Sequence, residues 1–229
     1  PFCKAGLSHK ATLELLQDFT FHGSSPTENS FKVALKTRGP GREGCYISWN
    51  CTSFDTLSID LDIIFPRTWL VPKPDPDPTK QAIATFSAKT VKWKDWLFKG
   101  ALKPCTIVGT NEVGLEITDL ALDLSDIENM GGMTFPPNYI GTQGVDFKGL
   151  YAKTISLTMP DGWRTFDDPN KAPTFSALNL IICKTGLTGD FVVANVVQYP
   201  KGDIARMSAS LDTVRISLVN TSLTQAYVK

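Results

Sequence analysis

Four stretches of this chain alternate apolar and polar residues almost without interruption. They are residues 57–63, 114–124, 153–159 and 212–218, and their polar positions are mostly Ser, Thr and Asp. Because successive side chains of a strand point to opposite faces, this two-residue period predicts half-buried antiparallel strands. The short polar side chains are expected on a solvated face.

Further candidate strands fill most of the chain, each bounded by Gly, Pro, Asn or Asp. The pattern predicts an all-β fold, an antiparallel β-sandwich of two packed sheets with roughly 10 to 14 strands. A length of 229 residues suits one large β domain or two small ones.

Prolines 72, 74, 76 and 78 occupy every second position of one segment. They fix the backbone and remove hydrogen-bond donors, so this segment cannot be a central strand. Two organisations follow. In the first, two tandem β subdomains at residues 1–71 and 80–229 are joined by a linker at 72–79. In the second, the whole chain, 1–229, is one domain and the prolines form a rigid loop across it. The second is favoured.

Two of the alternating strands lose their phase. Apolar positions are odd-numbered up to Ile117 and even-numbered from Leu120, and a second change falls between Leu211 and Val214. A β-bulge inserts one residue and shifts the phase in this way. Bulges are therefore predicted near Thr118 and Thr213.

Charge and motifs exclude several functions. Lys plus Arg and Asp plus Glu both number 23, so the net charge is zero and no basic stripe suits a nucleic acid. No apolar run reaches the roughly 18 residues of a membrane span. With two histidines and no catalytic motif, the chain is not expected to be an enzyme, and a hydrolase built on a carboxylate pair is the most distant alternative.

The five cysteines are widely spaced and odd in number, without a C-x-x-C motif. This argues against a disulfide framework and against a zinc site, so free thiols are expected. The acidic residues Asp119, Asp123, Asp126 and Glu128 offer oxygen ligands of the kind that calcium prefers, but not at EF-hand spacing. Solvated carboxylates are favoured over a metal site there, and no cofactor is expected.

Residues 131–151 form the most distinctive loop, rich in glycine and aromatic residues. Exposed Tyr, Trp and Asn side chains suit sugar or protein recognition, whereas aromatic side chains that fold back would form a satellite core, which is favoured. Three aromatic residues, Trp69, Tyr139 and Trp163, each follow a strand-ending proline by three residues. They are the candidate platform for a glycan.

Five short motifs follow one another along the chain: L-D-L-S-D (122–126), F-P-P-N-Y (135–139), F-K-G-L-Y (147–151), I-S-L-T-M-P (155–160) and L-T-Q-A-Y-V-K (223–229). Over about the last half of the chain they resemble β-rich modules of very large secreted or surface bacterial proteins of unassigned function. The resemblance implies an extracellular, cell-surface or particle-associated parent. It carries no catalytic residue.

The leading interpretation is therefore a non-enzymatic structural or protein-binding β module, which presents loops and sheet edges to a protein partner or to neighbouring domains of its parent. The chain opens at Pro1 without an initiator Met, as expected of a segment of a longer protein. The alternative is a carbohydrate-binding domain that uses exposed aromatic side chains.

Overall fold

The computed structural model describes residues 10–23, 29–51, 53–74, 77–110, 112–160, 162, 172–204 and 207–229. These residues form 14 strands of one antiparallel sheet, and a 3-10 turn lies at Gly144–Asp146. The strands are β1 Ala11–Glu14, β2 Phe19–His22, β3 Lys32–Leu35, β4 Tyr46–Trp49, β5 Phe54–Phe65, β6 Leu70–Pro72, β7 Ala82–Thr90, β8 Leu97–Ile107, β9 Gly114–Asp123, β10 Gly149–Thr158, β11 Thr174–Cys183, β12 Gly186–Ile204, β13 Met207–Val219 and β14 Ser222–Val228.

The spatial order is β1-β4-β5-β7-β8-β9-β10-β11-β12-β13-β14, with β2 and β3 beside β5 and β6 beside β8. The predicted all-β antiparallel class is confirmed. The finer prediction, two sheets packed as a sandwich, stays a prediction. Every substantial close contact between strand backbones is made by neighbours in the sheet, together with β6 against β7.

The start of the proline segment, Pro72, belongs to this sheet. β5 and β7, on its two sides, pair directly from Leu57 with Thr90 to Phe65 with Ala82. β6 adds Pro72 to the sheet opposite Cys105 of β8. The predicted boundary at 72–79 thus falls inside a sheet that continues on both sides of it.

One face of the sheet is apolar across nine strands. Directly paired residues of antiparallel strands share a face. One row of such pairs runs from β5 to β14 without a polar residue: Ile63, Ala84, Leu102, Ile117, Ile155, Ala177, Phe191, Ile216 and Ala226. We call this side the apolar face.

The opposite side is the loop-covered face, because residues 37–45 and 124–148 pack on it. Along β5 it carries Ser58, Asp60 and Asp62, all buried, the two aspartates at 6% exposure each. The expectation that these polar positions face solvent is therefore wrong. Arg42, from the first loop, reaches Asp62 Oδ1 at 2.8 Å, and a paired charge tolerates burial that a lone one does not.

The predicted bulge near Thr118 is confirmed. The pairing of β8 with β9 shifts between Gly100 and Leu102, opposite Asp119, whose φ is +48°. Asp and Asn tolerate this left-handed conformation better than other residues with a side chain. The extra residue keeps Ile117 and Leu120 on the same face.

The second bulge lies on a different strand from the one predicted. Pairing of β12 with β13 shifts between Ala194 and Val197, opposite Thr213 and Leu211. The extra residue belongs to β12, where Asn195 has φ +59°. β13 itself carries no extra residue at this point, so the prediction of a bulge in β13 is wrong.

Candidate functional site

The 131–151 loop folds back onto the sheet as a satellite core. Phe147 and Tyr151 are almost fully buried, with Leu97, Ala121 and Ile181 of the sheet beneath them. The rings of Phe135 and Tyr139 pack 4.9 Å apart above this cluster. Of the two interpretations of this loop, the satellite core is the one that the structure shows.

Tyr139 is not an exposed platform, which corrects its place among the glycan candidates. It is 6% exposed, and its hydroxyl lies 3.1 Å from Cys183 Sγ. Burial, with this contact, raises the pKa of Tyr139 to about 12. A sugar ring cannot stack on a side chain that is enclosed in this way.

The other two aromatic candidates do not complete a platform among the described residues. Trp69 is 56% exposed and lies beside Phe31, with ring centroids 6.1 Å apart. Trp163 lies outside the described residues. A role for either in ligand binding stays a prediction.

The four acidic candidates are not gathered into a metal site. Asp119 pairs with Lys153 at 3.3 Å and Asp126 with Lys148 at 2.7 Å, while Asp123 is buried. Across the described residues, no group of three or more His, Cys, Asp or Glu side chains is placed to hold a metal ion. Asp119 and Asp126 carry ion pairs at the surface.

The described cysteines include both free thiols and a disulfide-bonded residue. Cys45, Cys105 and Cys183 are free, as expected, whereas Cys51 is disulfide-bonded, so the expectation of free thiols is wrong for that residue. Burial raises the pKa of the Cys105 thiol. A thiol with a raised pKa carries little thiolate and is a poor nucleophile.

A cleft of about 360 Å³ opens where the folded-back loop meets the end strands of the sheet. We call it the 135–225 cleft. One wall is the loop at residues 134–138, and the opposite wall is formed by β12, β13 and the edge strand β14. Asp190 of β12, Arg215 of β13 and Gln225 of β14 line it, and Asn179 of β11 lies at its margin.

Gly189 lines this cleft and lies close to the backbone of β11. Its φ is +156°, and a Cβ at this position would lie 3.2 Å from the Leu178 carbonyl oxygen. A side chain here would crowd the backbone of β11, which bulges beside it at Asn179. The absence of a side chain at Gly189 therefore lets β12 pass close to the bulged backbone of β11.

The charged groups of the cleft are paired with each other. Arg215 Nη2 donates to Asp190 Oδ2 at 2.5 Å, and Ser217 Oγ donates to Asp190 Oδ1 at 2.5 Å. Partial burial raises the pKa of the Asp190 carboxyl, but the bonds from Ser217 and Arg215 outweigh that effect and lower it overall. The carboxylate therefore stays ionised near neutral pH as a fixed acceptor.

The apolar face is the second unusual surface. Close to β6 it is buried, in a cluster that includes Ala84, Leu102 and Cys105. Towards β14 it is open: Phe175 is 39% and Ile216 40% exposed. Adjacent exposed apolar side chains on one sheet face differ from the isolated ones that any protein surface carries.

Comparison with protein families, with curated proteins and with solved structures found no match for this chain. No function therefore carries over from a relative. None of the described residues belongs to a helix with the length and hydrophobicity needed to cross a lipid bilayer.

Sequence reasoning selected the loop but missed most of the cleft. Asp190, Arg215 and Gln225 come from three strands, and no spacing rule joins them. The sequence did show polar residues alternating with apolar ones in β12 to β14. Asp190, Ser217 and Gln225 are three of these polar residues, and they are paired directly across the strands. Only the register of the strands shows that they are neighbours.

Proposed function

We propose that this chain is a non-enzymatic β-sheet module that binds a protein partner through its apolar face, as one segment of a larger extracellular or particle-associated protein. The nine-strand row of directly paired apolar residues carries the proposal. A face of this extent is expensive to leave in water, at about 25 cal/mol for each Å² of apolar surface. Large exposed apolar patches mark interaction sites.

The open end of the face is the site of contact. Phe175 of β11 and Ile216 of β13 lie there and are each about two-fifths exposed, at 39% and 40%. A partner sheet packed about 10 Å above them would remove these side chains from water. It would also supply the second layer of the β-sandwich that the sequence pattern predicts.

The cysteines favour the extracellular part of the proposal. Cys51 is disulfide-bonded. Disulfides persist in oxidising compartments and are rare in the reducing cytosol. The zero net charge fits the same proposal, because recognition by an apolar face needs no long-range attraction between charges.

Site-specific photo-crosslinking tests this function. Benzoylphenylalanine at Ile216 samples the apolar face, and the same group at Tyr227 samples an exposed position on the other face of the adjacent strand. In the native parent protein, a cross-link from position 216 to one polypeptide segment is expected, with none from position 227. Equal cross-linking from both positions, or no polypeptide cross-link from position 216, would contradict the proposal.

A further inference from the structure

The 135–225 cleft is a site of a different kind, because it is small, polar and on the loop-covered face. Its volume of about 360 Å³ is in the range of small-ligand pockets and is too small for a folded partner. It does not overlap the apolar face. Its function can therefore be tested independently of the proposed one.

Several of its polar side chains have unused hydrogen-bonding capacity. Thr134, Asn138 and Gln225 line the cleft, are exposed, and make no side-chain hydrogen bond with the described residues. Asn179 accepts from Tyr151 at 3.2 Å through Oδ1, and its amide donors remain. An amide both donates and accepts, which matches a ligand whose groups do the same.

The cleft has no net charge to offer a ligand. Asp190 and Arg215 are its charged side chains, and they pair with each other at 2.5 Å. An ionic ligand would have to compete with this pair. A neutral ligand can instead add hydrogen bonds to the remaining lone pairs of Asp190 and the remaining donors of Arg215, and bonds to charged groups are stronger than those between neutral groups.

One wall supplies apolar contact. Phe135, Pro136 and Pro137 line the side opposite the strands. Phe135 is held by its packing on Tyr139 and Phe147, and its centroid lies 5.5 Å from that of Phe147. A rigid apolar wall that faces amide, hydroxyl and carboxylate groups suits a ring with a C–H face and hydroxyl groups around its edge.

We propose that the 135–225 cleft binds a neutral saccharide unit through its hydroxyl groups. The polar groups lie on the loop, on β12 and β13, and on β14, so they surround a compact ring on several sides. An extended peptide presents its amides along a line and would use only part of this arrangement. The site differs from the exposed-aromatic platform of Trp69, Tyr139 and Trp163.

Titration calorimetry and ligand-observed NMR test this site. The probes are methyl glycosides of glucose, galactose, mannose and N-acetylglucosamine, the trisaccharides cellotriose and chitotriose, and glucuronic acid as a charged comparison. Binding of at least one neutral probe with a Kd below about 10 mM is expected. No binding by any neutral probe, or binding of glucuronic acid alone, overturns the proposal.

Matched variants locate the binding. Asn138→Ala and Gln225→Ala alter exposed side chains and are expected to weaken it about 3- to 10-fold each. Ser222→Ala, also exposed on β14 but outside the cleft, should leave it unchanged. Binding that Asn138→Ala and Gln225→Ala leave intact lies elsewhere and overturns the proposal. Ile216→Thr changes the apolar face and should leave saccharide binding unchanged, so a failure of the saccharide site can be distinguished from a failure of the proposed protein-binding function.

Discussion

The backbone N–H of Gly44 donates to Oδ2 of Asp60 at 2.6 Å, between the 37–45 loop and β5. Asp60 is 6% exposed, although it occupies a polar position of an alternating strand. The bond explains how this position is buried: a loop covers the carboxylate and gives it a donor. Burial of a polar group is tolerated where a partner is supplied.

Asp60→Ala is expected to destabilise the fold by about 1–3 kcal/mol, because it leaves the Gly44 N–H without its acceptor inside the protein. Asp60→Asn keeps one side-chain oxygen and should cost less. Urea unfolding of the two variants measures the difference. Equal stability of Asp60→Ala and the wild type would show that the loop does not depend on this bond.

Gly44→Ala is expected to be costly. The φ of Gly44 is +77°, and a Cβ would lie 2.2 Å from the Arg38 backbone nitrogen. Gly41, in the same loop, has φ +73° but open space around it. Gly41→Ala should therefore cost about 1 kcal/mol from backbone strain, and Gly44→Ala at least about 1 kcal/mol more. Thermal unfolding of the pair checks this order, and equal losses would contradict it.

Asp123 is expected to make stability depend on pH. Burial raises the pKa of its carboxyl to about 6, and Oδ2 has no hydrogen-bond partner among the described residues. The folded state thus holds this proton more tightly than the unfolded chain does. The associated stability is full below about pH 4 and is lost as the pH rises through about 6, by roughly 1–3 kcal/mol.

Asp123→Asn removes the titrating group. The free energy of unfolding of this variant should therefore change less with pH between pH 4 and pH 7 than that of the wild type, whatever its absolute stability. Asp212→Asn, at an exposed position, controls for the change in net charge. Urea unfolding at several pH values gives the slopes. A slope that persists in Asp123→Asn assigns the pH dependence to other groups.

Polar substitution on the apolar face should reduce dye binding without unfolding the protein. Phe175 and Ile216 are exposed there. The double variant Phe175→Thr and Ile216→Thr is expected to lower the fluorescence of bound anilinonaphthalene sulfonate several-fold. Because these side chains are only partly buried, the variant should lose about 1 kcal/mol of unfolding free energy.

Val192→Thr is the matched control, since Val192 is half-buried on the loop-covered face of β12, opposite Arg215. It should leave dye binding unchanged. If the control lowers fluorescence as much as the double variant, the dye reports general loosening of the sheet and not an exposed apolar face.

The sequence by itself determined the strands and the β-bulge in β9. Alternation with period two requires extended backbone, because only a strand sends successive side chains to opposite faces. The phase change between Ile117 and Leu120 required an inserted residue, and the structure places the bulge at Asp119. These are local properties of a few consecutive residues.

Only the tertiary structure decided which face is buried and what meets at the cleft. Asp60 is buried because a loop distant in sequence covers it, and Tyr139 because its own loop folds back onto the sheet. Asp190 and Gln225 share a cleft because of strand register. Alternation shows that two faces differ, but burial depends on what packs against each face, and no local pattern encodes that.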